Sequence, residues 1–151
     1  MSVEENLKKL NINLPKAPDP VGAYVATKIS GNLVFVSGQL PLDSEAKIIK
    51  GKVGKDLNLE QGQEAAKLCA LNILAQLKKI CGNLDKVKSC VKITGYVNST
   101  ETFIDQPKVI NGASDLISKV FGDKGKHTRA AVSASSLPLG ASVEVEAIFE
   151  I

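Results

Sequence analysis

The sequence predicts an α+β domain in which two long helices cover one face of a mixed sheet, in the order β-β-α-β-α-β-β. Three observations carry that expectation. Residues 58–81 and 105–121 repeat apolar side chains at helical spacing, and Gly82 and Gly122 stop them. Short runs rich in Val and Ile elsewhere either alternate with period two or are apolar throughout. A length of 151 residues suits one core. The whole chain, 1–151, is therefore expected to be one domain with a short N-terminal extension over roughly residues 1–20.

Taken in order, Val3 to Leu10 predicts a short helix with Val3, Leu7 and Leu10 on one side. The stretch Leu14-Pro-Lys-Ala-Pro-Asp-Pro20 removes amide donors and favours extended backbone. Ala23 to Ser30 and Leu33 to Ser37 read as strands joined at Gly31-Asn32, a hairpin signal. Residues 43–58 are polar and carry glycines, with a possible strand at Lys47-Ile-Ile-Lys50. Asn58 caps the first long helix, and Gln61 completes a capping box. Ala66, Cys69, Ala70, Ile73, Leu77 and Ile80 make its apolar stripe. Val87 to Val97 reads as a long strand with Val91 and Ile93 on one face and Cys90 on the other. Asp105 is a cap candidate for the second helix, with Pro107 in the first turn. Val109, Ile110, Ala113, Leu116, Ile117 and Val120 form its stripe. Gly112 within that helix costs about 1 kcal/mol relative to Ala, which suggests another backbone passing close by. Two further strands, expected to pair as a terminal hairpin, flank Leu137-Pro-Leu-Gly140.

Two helices cover only one face of such a sheet. Leu33 and Phe35 make the opposite face of their strand apolar, and Ile148 interrupts the acidic face of the last strand. Self-association is the economical way to cover that surface.

Composition narrows the function. Hydrophobic residues make up 44% and charged residues 23%, as in ordinary globular proteins, and the net charge is +3. The lysines are dispersed and aromatics are only 4%, so no basic face or stacking platform points to nucleic acid. No apolar run is long enough to span a bilayer, and Met1-Ser-Val-Glu-Glu carries no signal-peptide pattern; a cytoplasmic protein without a membrane partner is expected. Cys69, Cys81 and Cys90 lack metal-ligand spacing and read as reduced packing residues.

Arg129 is the only arginine, against eighteen lysines. Its planar fork can grip a carboxylate with two parallel hydrogen bonds, as lysine cannot. A surface ion pair is the alternative. Glu144 and Glu146 lie on the polar face of the last strand, where a solvated carboxylate is the ordinary reading. If the two last strands pair as a hairpin, Arg129 and Glu144 come near each other.

Gly31-Asn-Leu-Val-Phe-Val-Ser-Gly-Gln-Leu-Pro41 and Thr128-Arg-Ala-Ala-Val, followed by Val143-Glu-Val-Glu-Ala147, resemble the RidA/YjgF family of imine and enamine deaminases. The resemblance covers nearly the whole chain. It implies a chorismate-mutase-like fold and homotrimers with ligand sites in clefts between subunits. It further implies hydrolysis of reactive intermediates such as 2-aminoacrylate to 2-keto acids and ammonia. Arg129 then falls at the family's carboxylate-binding position and Glu144 at that of the water-orienting carboxylate. Tyr24, Ser37, Gly38 and Asn111 fall near its other cleft positions. The family's common cysteine two residues after the arginine is Ala131 here, and its Gly-Pro-Tyr segment reads Gly22-Ala-Tyr24.

The implied chemistry needs no cofactor or metal, because a protonated imine carbon is already electrophilic. It needs a clamp for the substrate carboxylate and a positioned water with a proton acceptor. Two other functions stay open on the sequence: a non-catalytic trimer that binds small carboxylates, and an RNA-binding or endoribonuclease-like protein. His127 reads as exposed, or as lining the cleft mouth on Arg129's side of the strand.

Overall fold

A computed structural model describes residues 1–151. Its elements are α1 (Val3–Lys9), β1 (Thr27–Ser30), β2 (Leu33–Gln39), α2 (Leu59–Cys81), β3 (Ser89–Asn98), α3 (Gln106–Phe121), β4 (Thr128–Ala134) and β5 (Val143–Glu150). The strands form one mixed sheet in the order β1-β2-β5-β3-β4. Only β3 and β4 are parallel. Helices α2 and α3 pack on one face, and α1 packs beside α3 with Val3 and Leu7 buried. This is the α+β arrangement that the sequence predicts and the chorismate-mutase-like fold that the family resemblance implies. No helix is long and apolar enough to cross a membrane.

The expected terminal hairpin does not form. Strand β4 pairs with β3 alone, and β5 inserts between β2 and β3. Burial explains the choice. On β5, Val143, Val145, Ala147 and Phe149 are all buried, so this strand belongs in the middle of the sheet. No residue of β4 is buried, which suits an edge. The crossover β3–α3–β4 makes the parallel pair, as strand-helix-strand units do.

Two other strand expectations shift. The first strand is shorter than 23–30, starting only at Thr27. On β3 the register slips between Cys90 and Lys92. The extra residue, Val91, is partly exposed, and Cys90 turns into the core opposite Phe149. Burial drives the Cys90 thiol pKa up to about 12. All three cysteines are free and buried. Lys47–Lys50 forms only isolated bridges, Leu42 to Ile48 and Lys50 to Ala141.

The helices follow their sequence signals closely. The Asn58/Gln61 capping box is complete, with reciprocal bonds of 2.8 and 2.9 Å. The α2 stripe is buried except for Ile80, which lies at the exposed last turn. Asp105 sits at the α3 N-cap position but makes no capping bond; its carboxylate lies 3.5 Å from Lys108 Nζ instead. Gly112 is where α3 meets α2. A Cβ built there runs into the carbonyl of Gln63 and lies 3.0 Å from its Cα.

Gly112→Ala is therefore predicted to destabilise the protein. Helix propensity favours alanine by about 1 kcal/mol, but forcing two helix backbones apart costs ~1–3 kcal/mol, and more if the pair cannot shift. Urea unfolding should give a lower midpoint for the variant. An unchanged or higher midpoint would contradict this account of the helix contact.

Candidate functional site

The sheet has two unlike faces, and the candidate residues divide between them. Arg129 pairs in register with Ile93, whose side chain is in the core, so Arg129 points to the helix side. Glu144 pairs with Tyr96 and alternates with buried Val143 and Val145, so it points to the open side. Strand β3 lies between them. Within one chain Arg129 and Glu144 therefore do not meet, contrary to the hairpin expectation.

On the helix side, α3 receives the guanidinium. Arg129 Nη1 donates to Asn111 Oδ1 at 2.7 Å and to Ser114 Oγ at 3.1 Å. Arg129 Nη2 donates to the Pro107 carbonyl at 3.3 Å. Asn111, Ser114 and Pro107 lie along one side of α3, as their three- and four-residue spacing dictates. Three of the guanidinium's five N–H donors are used here. One on Nε and one on Nη2 stay uncommitted. No carboxylate pairs with Arg129, so it is not a surface ion pair.

On the open side, Tyr24, Gly38 and Glu144 line a cleft of about 340 Å³, together with the Pro18–Val21 segment, Leu40, Leu42, Pro138 and Leu139. The β2 register slips between Val36 and Gln39, which puts a bulge at Ser37-Gly38. The bulge brings the Gly38 backbone against the Glu144 carboxylate, so that any Cβ at residue 38 would collide with Glu144 Oε1. Beyond the bulge, Gln39 turns inward. It accepts from Gln76 Nε2 at 3.4 Å, and Gln76 also donates to the Pro18 carbonyl. Asn72 Nδ2 donates to the Leu40 carbonyl at 3.1 Å. Buried polar residues on α2 thus hold both walls of the cleft. Leu139 stands at its rim with φ of 60°, an uncommon conformation for a residue of this size.

Glu144 is half-buried. Burial first, and the neighbouring Glu146 carboxylate second, raise its pKa above the ordinary 4.5. Tyr96 lies on the same face and its hydroxyl donates to Glu146 Oε1 at 3.3 Å. Burial and Glu146 raise the Tyr96 pKa, so it stays protonated. Tyr24 is half-exposed, and its hydroxyl accepts from the Val21 amide at 3.3 Å. Ser37 is not in this cleft. Its hydroxyl donates to the Val25 carbonyl at 2.7 Å and braces the β1–β2 edge. Ala131 faces the helix side beside Arg129 and packs on the core. His127 is half-buried rather than exposed, bonded to Ser114 and Gly125.

The sequence reading did not single out Ser114, Asn72, Gln76 or Tyr96. Glu146 shares the face of Glu144, as the alternation of the last strand predicts. The polar residues on α2 fall within its apolar pattern and look like interruptions until their partners are seen.

Comparison with known proteins decides the family. The YjgF/chorismate mutase-like family model, whose description adds candidate endoribonuclease, matches residues 4–151. The chain belongs to that family. Protein TCP17 of Trypanosoma cruzi is 45% identical over 150 residues, covering 99% of this chain and 94% of that protein. Rat 2-iminobutanoate/2-iminopropanoate deaminase is 29% identical, covering 91% and 86%. Among solved structures, an Agrobacterium tumefaciens protein of unknown function is 49% identical with TM-score 0.89, covering 99% and 92%. A Shewanella oneidensis protein described as a candidate endoribonuclease superposes with TM-score 0.96 at 32% identity, with full coverage of both chains. Similarity to this YjgF-like family therefore extends over the whole fold, both faces of the sheet included.

The raised pKa of Glu144 makes a signed prediction. The native state holds this proton more tightly than the unfolded chain, so native stability falls as pH rises towards the folded-state pKa. Glu144→Gln should match the parent's stability below the ordinary pKa of 4.5 and exceed it at neutral pH. Urea titrations across that range check it; a stability gain confined to acid would be the wrong sign.

Proposed function

We propose that this protein hydrolyses 2-imino acids, and their enamine tautomers, to 2-keto acids and ammonia. Arg129 holds the substrate carboxylate and Glu144 handles the proton of the attacking water. The observation that carries the reading is Arg129: a solitary guanidinium fixed by three hydrogen bonds, unpaired with any carboxylate, with donors left over. A small carboxylate is the ligand those donors suit. The similarity to the rat deaminase supports the same chemistry.

The steps balance without a redox partner. An enamine first takes a proton at carbon and becomes the iminium. Water oxygen adds to the iminium carbon while its proton passes to the Glu144 carboxylate. That proton then moves to nitrogen, the C–N bond breaks and ammonia leaves, and the hydroxyl proton passes back to the Glu144 carboxylate as the carbonyl forms. Glu144 suits the role because burial and Glu146 hold its pKa nearer to neutral than an ordinary carboxylate's.

One chain presents Arg129 and Glu144 on opposite faces of its sheet, so one small substrate needs a second copy. The open face supplies the means. Phe35 and Val132 are 41% and 45% exposed there, beside Ile148 and Tyr96. In our reading, neighbouring copies in a homotrimer cover this face and bring the Arg129 group of one subunit to the Glu144 cleft of the next.

Two experiments test the reading. In light scattering at micromolar concentration, a trimer is expected, and Phe35→Glu should dissociate it and abolish 2-keto-acid binding together. A stable monomer near 16.0 kDa would overturn the shared site. In calorimetry and ammonia-release assays, Arg129→Lys should stay folded and lose at least tenfold in affinity, since a charge-assisted bond is worth ~1.5–3 kcal/mol. Glu144→Gln should bind and not turn over. Binding lost in Arg129→Lys and kept in Glu144→Gln, with no turnover by the parent protein, would favour a carboxylate-binding protein instead; binding that survives in Arg129→Lys would overturn the clamp. Cleavage of RNA that persists in Glu144→Gln would favour the ribonuclease reading.

A further inference from the structure

Arg129 is the start of a chain of hydrogen bonds that the proposed reaction does not by itself require. Ser114 Oγ, which accepts from Arg129 Nη1, lies 2.9 Å from His127 Nε2. His127 Nδ1 lies 2.6 Å from the Gly125 carbonyl oxygen. A carbonyl can only accept, so Nδ1 carries a proton. In the neutral ring Nε2 is then an acceptor. The Ser114 hydroxyl must therefore donate to Nε2, and its lone pairs turn to Arg129. Every bond runs the same way: from Arg129 Nη1 to Ser114 Oγ, from Ser114 to His127 Nε2, and from His127 Nδ1 to the Gly125 carbonyl. Each of the three donors along the line meets an acceptor.

The line has a mechanical consequence. Asn111 and Ser114 take both protons of Nη1. Nη1 is thereby barred from the substrate, and the group's remaining donors, on Nε and Nη2, are the ones free to meet a carboxylate. A serine alone would not impose this, because its hydroxyl rotates and can offer its proton instead of its lone pair. His127 removes that freedom. His127 is the chain's only histidine and sits two residues before Arg129 on the approach to β4, while Ser114 is three residues after Asn111 on α3.

We propose that Ser114 and His127 are positioning residues for Arg129: together they fix the orientation of its guanidinium and so set affinity for the substrate carboxylate. This rests on the carboxylate-clamp role of Arg129 proposed above. Neither residue touches the reacting atoms, so their effect falls on binding and KM, with kcat largely kept.

The test uses the full-length protein, with pyruvate as the binding probe and an enzymatically generated 2-imino acid as substrate. Ser114→Ala should weaken pyruvate binding and raise KM by about tenfold, the scale of one lost bond to a charged group. Ser114→Thr, which keeps the hydroxyl, should restore most of both. His127→Ala should act in the same direction, and the double variant Ser114→Ala/His127→Ala should be no worse than Ser114→Ala alone, because both substitutions break one line. Nitrogen NMR of the single histidine should find the Nδ1–H tautomer, perturbed by saturating pyruvate in the parent protein and not in folded Ser114→Ala. Unchanged pyruvate affinity in Ser114→Ala, strictly additive effects, or an Nε2–H tautomer would each overturn the proposal. Arg129→Lys separates its failure from that of the underlying reading. If Arg129→Lys loses pyruvate and Ser114→Ala does not, only the positioning role falls; if Arg129→Lys binds normally, the clamp itself falls.

Discussion

Strand β5 lies in the middle of the sheet, and the division of the molecule into two chemical faces follows from its alternation. Val143, Val145, Ala147 and Phe149 are buried beneath the helices. With a period of two, Glu144, Glu146 and Ile148 have no choice but the opposite face. A slip of one residue would turn three carboxylates, Glu144, Glu146 and Glu150, inward and expose a phenylalanine, so the register is strongly held. The open face is thus acidic and apolar together, a composition that a freely solvated sheet does not need. The raised pKa of Glu144 and the protonated Tyr96 hydroxyl are consequences of crowding that face.

The helix side is built by a different logic. Close contact between α2 and α3 lets α3 lie flat along the sheet, where one side of it reaches the β4 edge. That edge is where Arg129 emerges. A guanidinium on an edge strand would ordinarily wander. Here Asn111, Ser114 and the Pro107 carbonyl at the start of α3 take up its donors, and the rotamer freedom lost is offset by several bonds to one charged group. The polar positions of α2 do similar service for the cleft. Asn72 and Gln76 are nearly inaccessible, and their amide N–H groups donate to backbone carbonyls of the cleft walls, Gln76 also to Gln39 Oε1. Burial of an amide without such partners would cost roughly 1–3 kcal/mol. Their presence in an otherwise apolar helix therefore marks what the helix has to hold.

The sequence by itself determined the two long helices and their stops, the α2 capping box, the β1–β2 turn and which face of β5 is apolar. These are properties of nearest neighbours along the chain: Asn58 and Gln61 are three residues apart, and alternation needs only consecutive residues. The close backbone approach at Gly112 was legible too, because a glycine within a helix is a local cost that needs a reason. The resemblance of two separated motifs pointed to Arg129 and Glu144. Tertiary structure alone decided that β4 and β5 do not pair, that Val91 bulges and turns Cys90 inward, and that Arg129 and Glu144 stand on opposite sides of a sheet. It also decided the Arg129–Ser114–His127 line and the place of Ser37 outside the cleft. The physical reason is the same in each case. Strand order and register are settled by competition among distant strands for the buried centre, and a hydroxyl or amide has no preferred partner until that competition has placed one within about 3 Å.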